Sequence, residues 1–439
     1  MHYRRLLRRR FRLHSARTQR RLIFLVGGIV VGVAAVMLAV LADLGQEQFA
    51  RLIARWPYAS LVVTPLGLGL SAWLTRRYFP NSQGSGIPQA IAARHLQDQA
   101  ARGRLVSIRI AVGKVLLTMF GLLCGASIGR EGPTVQVGAS IMFAIGRLTP
   151  RRQSGLILAG ASAGIAAAFN TPLAGIIFGI EEMSRAFEIQ ASGLLLGGII
   201  IAGLTSVAFL GNYTYFGTTS VALHGLLGWA ALPVCAVVGG LMGGVFSRIL
   251  IEFGRGLPGA TGAAIKRHPV AFAMACGLAA ACCGILSHST VYGTSYAQVR
   301  GLMDHGTPLP QSFSVLKLIA TALASISGVP GGIFSPSLAV GAGLGFNIAS
   351  LLPSVPMNAL ILLGMVSYFT GVVQAPITAV VIVAEMTDDH AMVLPLMVAA
   401  VIAYGASRLV CAEGVYHALA KNFLGVAGGP PAATASVRH

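Results

Sequence analysis

The sequence predicts an all-α polytopic membrane protein, built as two related halves whose helices are broken and partly re-entrant. Three observations carry that prediction. The chain is too apolar to shield itself from water, apolar runs recur from end to end, and blocks of the first half return 203 or 204 residues later.

Composition supports the first point. Of 439 residues, 55% are hydrophobic and 10% charged, with a mean hydropathy of +0.75, whereas soluble domains carry about 25% charged residues. Polar surface is insufficient to cover such a chain, so a lipid bilayer is its expected solvent and partner. The 55 glycines and 20 prolines are too many for smooth spanning helices but suit close-packed and interrupted ones. The net charge of +19 would suggest nucleic acid in a soluble protein. Here nine arginines precede Leu22, and short basic runs such as Arg76-Arg77, Arg151-Arg152 and Lys266-Arg267 flank apolar spans. That is the positive-inside pattern. No nucleic-acid partner is expected. The N-terminus, whose first acid is Asp43, should lie in the cytoplasm, with the protein crossing the cell's inner (plasma) membrane many times.

The elements follow in order. Residues 1–21 form a basic cytoplasmic segment. The run Leu22–Ala42 is 21 residues long, enough to span, and shows no small-residue cleavage site, so it reads as a first transmembrane helix rather than a signal peptide. Apolar stretches then recur near 60–74, 105–128, 155–180, 192–210, 224–250, 270–286, 313–325, 336–352, 357–385 and 391–410. Several are too short to span or are cut by Gly or Pro. One membrane domain therefore covers 22–424, with halves near 22–220 and 221–424, and residues 425–439 form a short tail. The cysteines, at 124, 235, 276, 282, 283 and 411, show no metal-ligand spacing and read as small buried hydrophobes. Neither a metal nor a cofactor is expected.

Pro133-x-x-x-Val137-Gly138-Ala139 recurs as Pro336-x-x-x-Val340-Gly341-Ala342, and Leu156-Ile157-Leu158-x-Gly160 as Leu360-Ile361-Leu362-x-Gly364. TPLAGIIFGIEEM, from Thr171, mirrors APITAVVIVAEM, from Ala375, so that Glu181 corresponds to Glu385. Two similar halves with helices broken in matching places point to a transporter whose site lies at the repeat interface. The second half is expected to be inverted, although the sequence alone does not show it.

Three glycine-rich breaks stand out: Gly84-Ser85-Gly86-Ile87-Pro88, Gly129-Arg130-Glu131-Gly132-Pro133 and Gly331-Gly332-Ile333-Phe334-Ser335-Pro336. In each, glycine precedes a proline that opens an apolar helical run. Proline is tolerated in the first turn because the N–H it lacks has no partner there. Each break thus predicts a helix that starts inside the membrane with free N–H groups and a positive dipole end. Three such ends converging form an anion site without a fixed cation. Such a site holds an anion weakly enough to release it. Ordinary kinks or loop turns are the alternative.

In this order and spacing, GSGIP, GREGP and GGIFSP resemble the signature motifs of the CLC family of chloride channels and chloride/proton exchangers. The bacterial type, without cytoplasmic nucleotide-binding modules, is the nearer likeness. The segments AAAFNTPLAG, IEEM, AEMTDD and VYHALAKN add to it, and the likeness runs from about Gly84 to Asn422. The resemblance implies chloride transport, as a Cl⁻/H⁺ antiporter with a gating glutamate or, alternatively, as a glutamate-gated passive chloride channel. It implies that Ser85 coordinates chloride through its hydroxyl, where relatives with proline favour nitrate. Tyr416 would close the inner side of the site, and Ile333 and Phe334 would contribute backbone N–H groups, with Gly129 and Arg130 of GREGP alongside. It implies a homodimer with one pathway per subunit.

Glu131 is the decisive residue. A carboxylate within a membrane costs about 2.5–3.5 kcal/mol on insertion scales and is functional by default. At a helix N-terminus its charge is stabilised as a chloride's would be. It can therefore compete for the anion's place, the role of the family's gating and outer proton glutamate; a pairing with Arg130 is the plainer reading. Glu182 matches the inner proton-transfer glutamate of bacterial exchangers, a position where channels usually lack an acid. Glu181, as the repeat partner of Glu385, is expected to serve structure. Lys114, alone in an apolar stretch, matches a buried family lysine that supports the anion electrostatically or pairs with an acid such as Glu182. Gln89 and Ile91 stand where many relatives carry acids, which removes a carboxylate from the inner proton path. An enzyme is not expected: there is no HExxH, no paired histidine cluster and no serine nucleophile elbow.

Overall fold

Helices follow the apolar runs and stop where the breakers stand. The computed structural model describes residues 2–148, 153–184, 193–211 and 214–427; the Arg151-Arg152 run and nearly all of the tail lie outside them. The first half contains α1 (His2–Arg55), α2 (Ser60–Tyr78), α3 (Ile87–His95), α4 (Gln99–Leu105), α5 (Ile108–Leu123), α6 (Glu131–Ile145), α7 (Gln153–Phe169), α8 (Pro172–Glu181) and α9 (Gly193–Leu210). The second contains α10 (Gly225–Arg255), α11 (Gly259–Arg267), α12 (Pro269–Leu286), α13 (Tyr296–His305), α14 (Phe313–Ile326), α15 (Phe334–Leu351), α16 (Met357–Val373), α17 (Pro376–Thr387), α18 (Val393–Val410) and α19 (Val415–Ala427). Among the described residues seven helices are long and apolar enough to cross a membrane, and six shorter apolar ones accompany them. The first spanning helix exceeds its expected 21 residues. It runs on to Arg55 because no proline intervenes before Pro57, whose ring disfavours helix at the preceding residue.

Two stretches that read as single apolar runs are split. The run at 155–180 breaks at Asn170, and that at 357–385 breaks at Gln374; both residues adopt positive φ, 57° and 58°. Each is followed two residues later by the proline that opens the next helix, so the same device ends α7 and α16. Close crossings recur as well. A Cβ on Gly138 would collide with the Gly160 carbonyl, and one on Gly341 would meet the Gly364 carbonyl, so α6 lies against α7 as α15 lies against α16. Small residues allow this backbone approach, and van der Waals packing holds helices together in lipid. α7 and α16 are apolar on every side because they lie at the core, buried along nearly their whole length.

The halves are inverted. Glu181, at the end of α8, accepts hydrogen bonds from Ile377 N (3.1 Å), Thr378 N (2.6 Å) and Thr378 Oγ1 (2.7 Å) at the start of α17. Glu385, in the last turn of α17, accepts from Leu173 N (3.1 Å) and Ala174 N (2.7 Å) at the start of α8. Two equivalent helices that cap each other's N-termini must run antiparallel. Each carboxylate satisfies orphan donors and faces a positive helix end, the structural role expected for Glu181.

Helix directions also define two faces. α2 ends at Arg76-Arg77 and α10 at Arg255, while α11 carries Lys266-Arg267 just before α12 starts. Gly277 of α12 packs on Thr64 and Pro65 of α2, Phe272 stacks on Phe253 of α10, and Asn422 of α19 donates to the Gly254 carbonyl (2.9 Å). These ends therefore share one basic face.

Candidate functional site

The three glycine-rich breaks meet. Gly129 N and Gly332 N each donate to the other's carbonyl, both at 2.7 Å, while Gly84 N donates to Val329 O (3.2 Å) and Gly331 N to Gly84 O (3.0 Å). The non-helical backbone that lipid could not satisfy is thus satisfied by the other breaks, Gly129 by its pseudo-symmetric counterpart Gly332 and Gly84 by the third break. The approach requires glycine. A Cβ on Gly132 would sit 2.9 Å from Ser85 O and 3.2 Å from the Gly332 Cα. Gly84 and Gly86 adopt φ of 63° and 93°, open to glycine without strain. From this knot α3, α6 and α15 depart, each offering the free N–H groups of its first turn.

A cavity of about 440 Å³ opens beside the knot toward the basic face, lined by Ser85, Gln89, Gly331, Ile333, Tyr416 and Asn422 among others. The Ser85 hydroxyl accepts from Ile87 N at 3.2 Å. It therefore caps α3 and still keeps its own hydrogen to give to an anion. Tyr416 is buried and its ring stacks on Phe334 at 5.9 Å and 13°. Its hydroxyl has no hydrogen-bond partner among the described residues. Buried polar groups are usually paired, so a hydroxyl left over beside a cavity is a donor waiting for a ligand.

Gly129 and Arg130 make contacts within the frame. The Gly129 N–H is used by Gly332. The Arg130 side chain turns to α1, reaching Ala39 O (2.9 Å) and Asp43 Oδ1 (2.6 Å), with its guanidinium 6.0 Å from the centre of the Tyr215 ring. Its ion pair is with Asp43. Glu131 instead takes hydroxyl hydrogen bonds from two residues the sequence did not single out. Tyr215 donates to Oε1 at 3.2 Å, and Ser335 donates to the same oxygen. Oε2 has no partner among the described residues, and Glu131 is wholly buried. Tyr215 is held edge-on by Phe169 (5.5 Å), Phe216 (5.0 Å) and Tyr296 (4.6 Å). Its loop is pinned by Asp389, which accepts from Thr219 Oγ1 (2.9 Å) and Val221 N (3.0 Å). Nothing near Tyr215 in the sequence forms a motif; Ser335, inside GGIFSP, could have been flagged by its hydroxyl between two ligand candidates and a proline.

Tyr296 also lines a second cavity, of about 280 Å³, with Asp43, Gln46 and Thr294. This pocket lies at the C-terminal half of α1, opposite the basic face. Glu131 with its tyrosine and serine thus stands between two cavities that open on opposite faces.

Lys114 does not pair with Glu182. Its ammonium donates to Ser82 O (2.7 Å) and Gly84 O (2.6 Å), which secures the first break. With two backbone carbonyls in reach, the ammonium is satisfied without a carboxylate. Lys317, 203 residues on, repeats the arrangement with Val291 O (3.0 Å) and Gly293 O (2.7 Å). Thr294 Oγ1 there accepts from Tyr296 N (3.3 Å), as Ser85 does from Ile87. Yet Gln46 Oε1 takes the Thr294 N–H (2.8 Å) and hydroxyl (2.9 Å). The pseudo-symmetric counterpart of the Ser85 site is therefore filled by the protein's own amide. The 203-residue offset between two buried lysines was the available sequence signal.

Glu182, the C-cap of α8, is buried and lies near α19. Its carbonyl lies 2.7 Å from His417 Nε2 and its Oε1 3.6 Å from the same nitrogen. Arg94 donates to the Met183 carbonyl beside it at 2.6 Å.

Known proteins share this architecture. The family model described as Voltage gated chloride channel matches residues 67–408. The H(+)/Cl(-) exchange transporter ClcA of Yersinia pseudotuberculosis is 30% identical over 432 residues, covering 91% of this chain and 87% of that one. The protein of that name from Salmonella arizonae is 30% identical over 361 residues, covering 78% and 74%. The crystal structure of a slow cyanobacterial Cl⁻/H⁺ antiporter superposes with a TM-score of 0.76 at 26% identity, covering 92% of this chain and 98% of that one. A CLC-type fluoride/proton antiporter, 23% identical, shares the fold with a TM-score of 0.78 over 92% and 98% of the two chains.

Proposed function

Because the chain belongs to the voltage gated chloride channel family, we infer that it moves chloride across the membrane in exchange for protons. One observation carries the reading: a buried carboxylate, Glu131, sits at the meeting of three helix N-termini, between cavities on opposite faces. Helix dipoles that favour a carboxylate there favour chloride equally. The two compete, and protonation of the carboxylate removes it from the competition. That exclusion couples the ions.

Chloride enters from the basic face into the Ser85–Tyr416 cavity, where the two hydroxyls and the N–H groups at Ile333 and Phe334 replace part of its hydration shell. None carries a full charge, so release stays fast. Lys114 holds the GSGIP backbone in place and adds positive potential. Glu131 closes the far side, latched by Tyr215 and Ser335. When it takes a proton from the face opposite the basic one, its hold as an acceptor weakens and chloride passes. Glu182 delivers or collects the proton on the basic side. The basic face is read as cytoplasmic, on the strength of the positive-inside pattern. The inner membrane is the expected location and a homodimer the expected assembly, both supported by the family likeness.

The deciding measurement is proton movement in proteoliposomes under a chloride gradient with membrane voltage clamped. Uphill proton movement, with a reversal potential displaced from the chloride equilibrium value, is the expected result. A reversal potential set by chloride alone would mark a passive channel and refute the exchange reading.

A further inference from the structure

We propose that Gln46 is a built-in plug that keeps chloride out of a second anion pocket. Gly293, Thr294 and Lys317 form that pocket, on the face opposite the basic one. The proposal rests on the chloride reading of the Ser85 pocket above. The two places share one construction. Gly84 and Gly293 adopt φ of 63° and 62°, and each is followed by a hydroxyl residue, Ser85 or Thr294. Each hydroxyl accepts from the N–H two residues on, at 3.2 and 3.3 Å. Lys114 and Lys317 each donate to the carbonyl of that glycine and to the carbonyl two residues before it.

They differ in one respect. A Cβ added to Gly84 would meet nothing within 4 Å, whereas one added to Gly293 would collide with Gln46 Oε1. The space left open in the first half is taken in the second by an oxygen from α1. That oxygen accepts from Thr294 N (2.8 Å) and from Thr294 Oγ1 (2.9 Å). Two uncharged donors converge on one acceptor, the arrangement that also suits a halide. The Gln46 amide nitrogen makes only a long bond, to Ala42 O at 3.5 Å, so the two Thr294 donors hold the plug in place.

Charge and access suit an anion there. Lys317 is wholly buried and spends two of its three donors on backbone carbonyls. The acids lining the adjoining cavity have cations of their own: Asp43 pairs with Arg130 and Glu47 with Arg51, both at 2.6 Å. Lys317 is left as positive charge in excess. That cavity, of about 280 Å³, reaches both Gln46 and Thr294 and gives an ion its way in. Inverted halves would otherwise offer an anion pocket to each face. With Gln46 in place, only the pocket on the basic face stands open.

The test uses crystals of the full chain grown in bromide, whose anomalous X-ray signal locates the ion. Gln46→Ala removes the plug, and a bromide peak should appear within hydrogen-bond reach of Thr294 N and Oγ1. Gln46→Glu keeps an acceptor oxygen in the same place, so that variant and the wild type should show no peak there. In solution, calorimetry of detergent-solubilised Gln46→Ala with chloride should count one more site per chain than the wild type. No bromide at Thr294 in Gln46→Ala overturns the proposal, as does an unchanged site count. A bromide peak there in the wild type or in Gln46→Glu also overturns it, because the glutamine oxygen would then exclude nothing. Should Gln46→Ala fail to fold, Gln46→Ser, which returns a small polar group to the gap, decides by the same outcomes. The peak at Thr294 thus judges the plug. A wild type without bromide beside Ser85 would instead overturn the chloride reading of that pocket.

Discussion

Replacing Glu131 with glutamine keeps the size of the side chain and removes its charge. Two hydroxyls, from Tyr215 and Ser335, point at Oε1. A hydrogen bond to a charged acceptor contributes about 1.5–3 kcal/mol and a neutral one about 0.5–1.5. Each bond therefore weakens by roughly 1–1.5 kcal/mol, and the latch as a whole by about 2–3 kcal/mol. At 1.4 kcal/mol per factor of ten, chloride should gain on the side chain by roughly 30- to 150-fold in their contest for the helix ends. Titration calorimetry of the detergent-solubilised protein reads that gain as tighter chloride binding. Proteoliposomes fitted with pH and chloride electrodes read the rest: chloride efflux persists, and proton movement against its gradient stops. Sustained proton pumping by Glu131→Gln would refute the reasoning, because a residue that cannot exchange a proton would then not be the coupling element. Unchanged chloride affinity alongside lost proton flux would refute the competition while leaving the proton role.

Tyr215→Phe keeps the aromatic packing but removes one donor to Glu131, about 1.5–3 kcal/mol of latch strength; chloride turnover in efflux assays should rise about tenfold or more, and a slower variant would contradict a latch. Ser85→Ala removes a hydroxyl donor to a charged ligand, so calorimetry should show chloride affinity down by at least about tenfold, with an unaltered affinity counting against the site. Glu181→Ala strips the cap from α17 and should cost about 1–2 kcal/mol, within the range of lost N-caps. Thermal denaturation in detergent should show a Tm lower by several degrees while the proton-to-chloride ratio of the surviving protein stays at its wild-type value, and an altered ratio would assign Glu181 to the proton path.

Much of this protein was legible before its structure. Hydropathy marked the spans, since a bilayer imposes the same requirement on every helix that crosses it. The glycine–proline breaks were equally plain, because only those residues start a helix in mid-membrane without strain or a wasted donor. Matched offsets exposed the two halves, and with them Glu181 and Glu385 as a structural pair. Inversion of the halves, convergence of the breaks and the hands on Glu131 were not legible. Tyr215 and Ser335 come from segments far apart in the chain, and hydrogen bonds over such separations leave no local periodicity. Lys114 was visible as a buried charge, but its partner was not, because carbonyls carry no sequence signature. The filling of the second pocket by Gln46 was hidden for the same reason: two halves of similar sequence become one open pocket and one plugged one only when a side chain from α1 arrives in space. Local propensity and solvent preference are properties of short segments, and they determined where this chain breaks. Which breaks touch, and which donors are left for an ion, depends on contacts across hundreds of residues, and those only the tertiary structure decided.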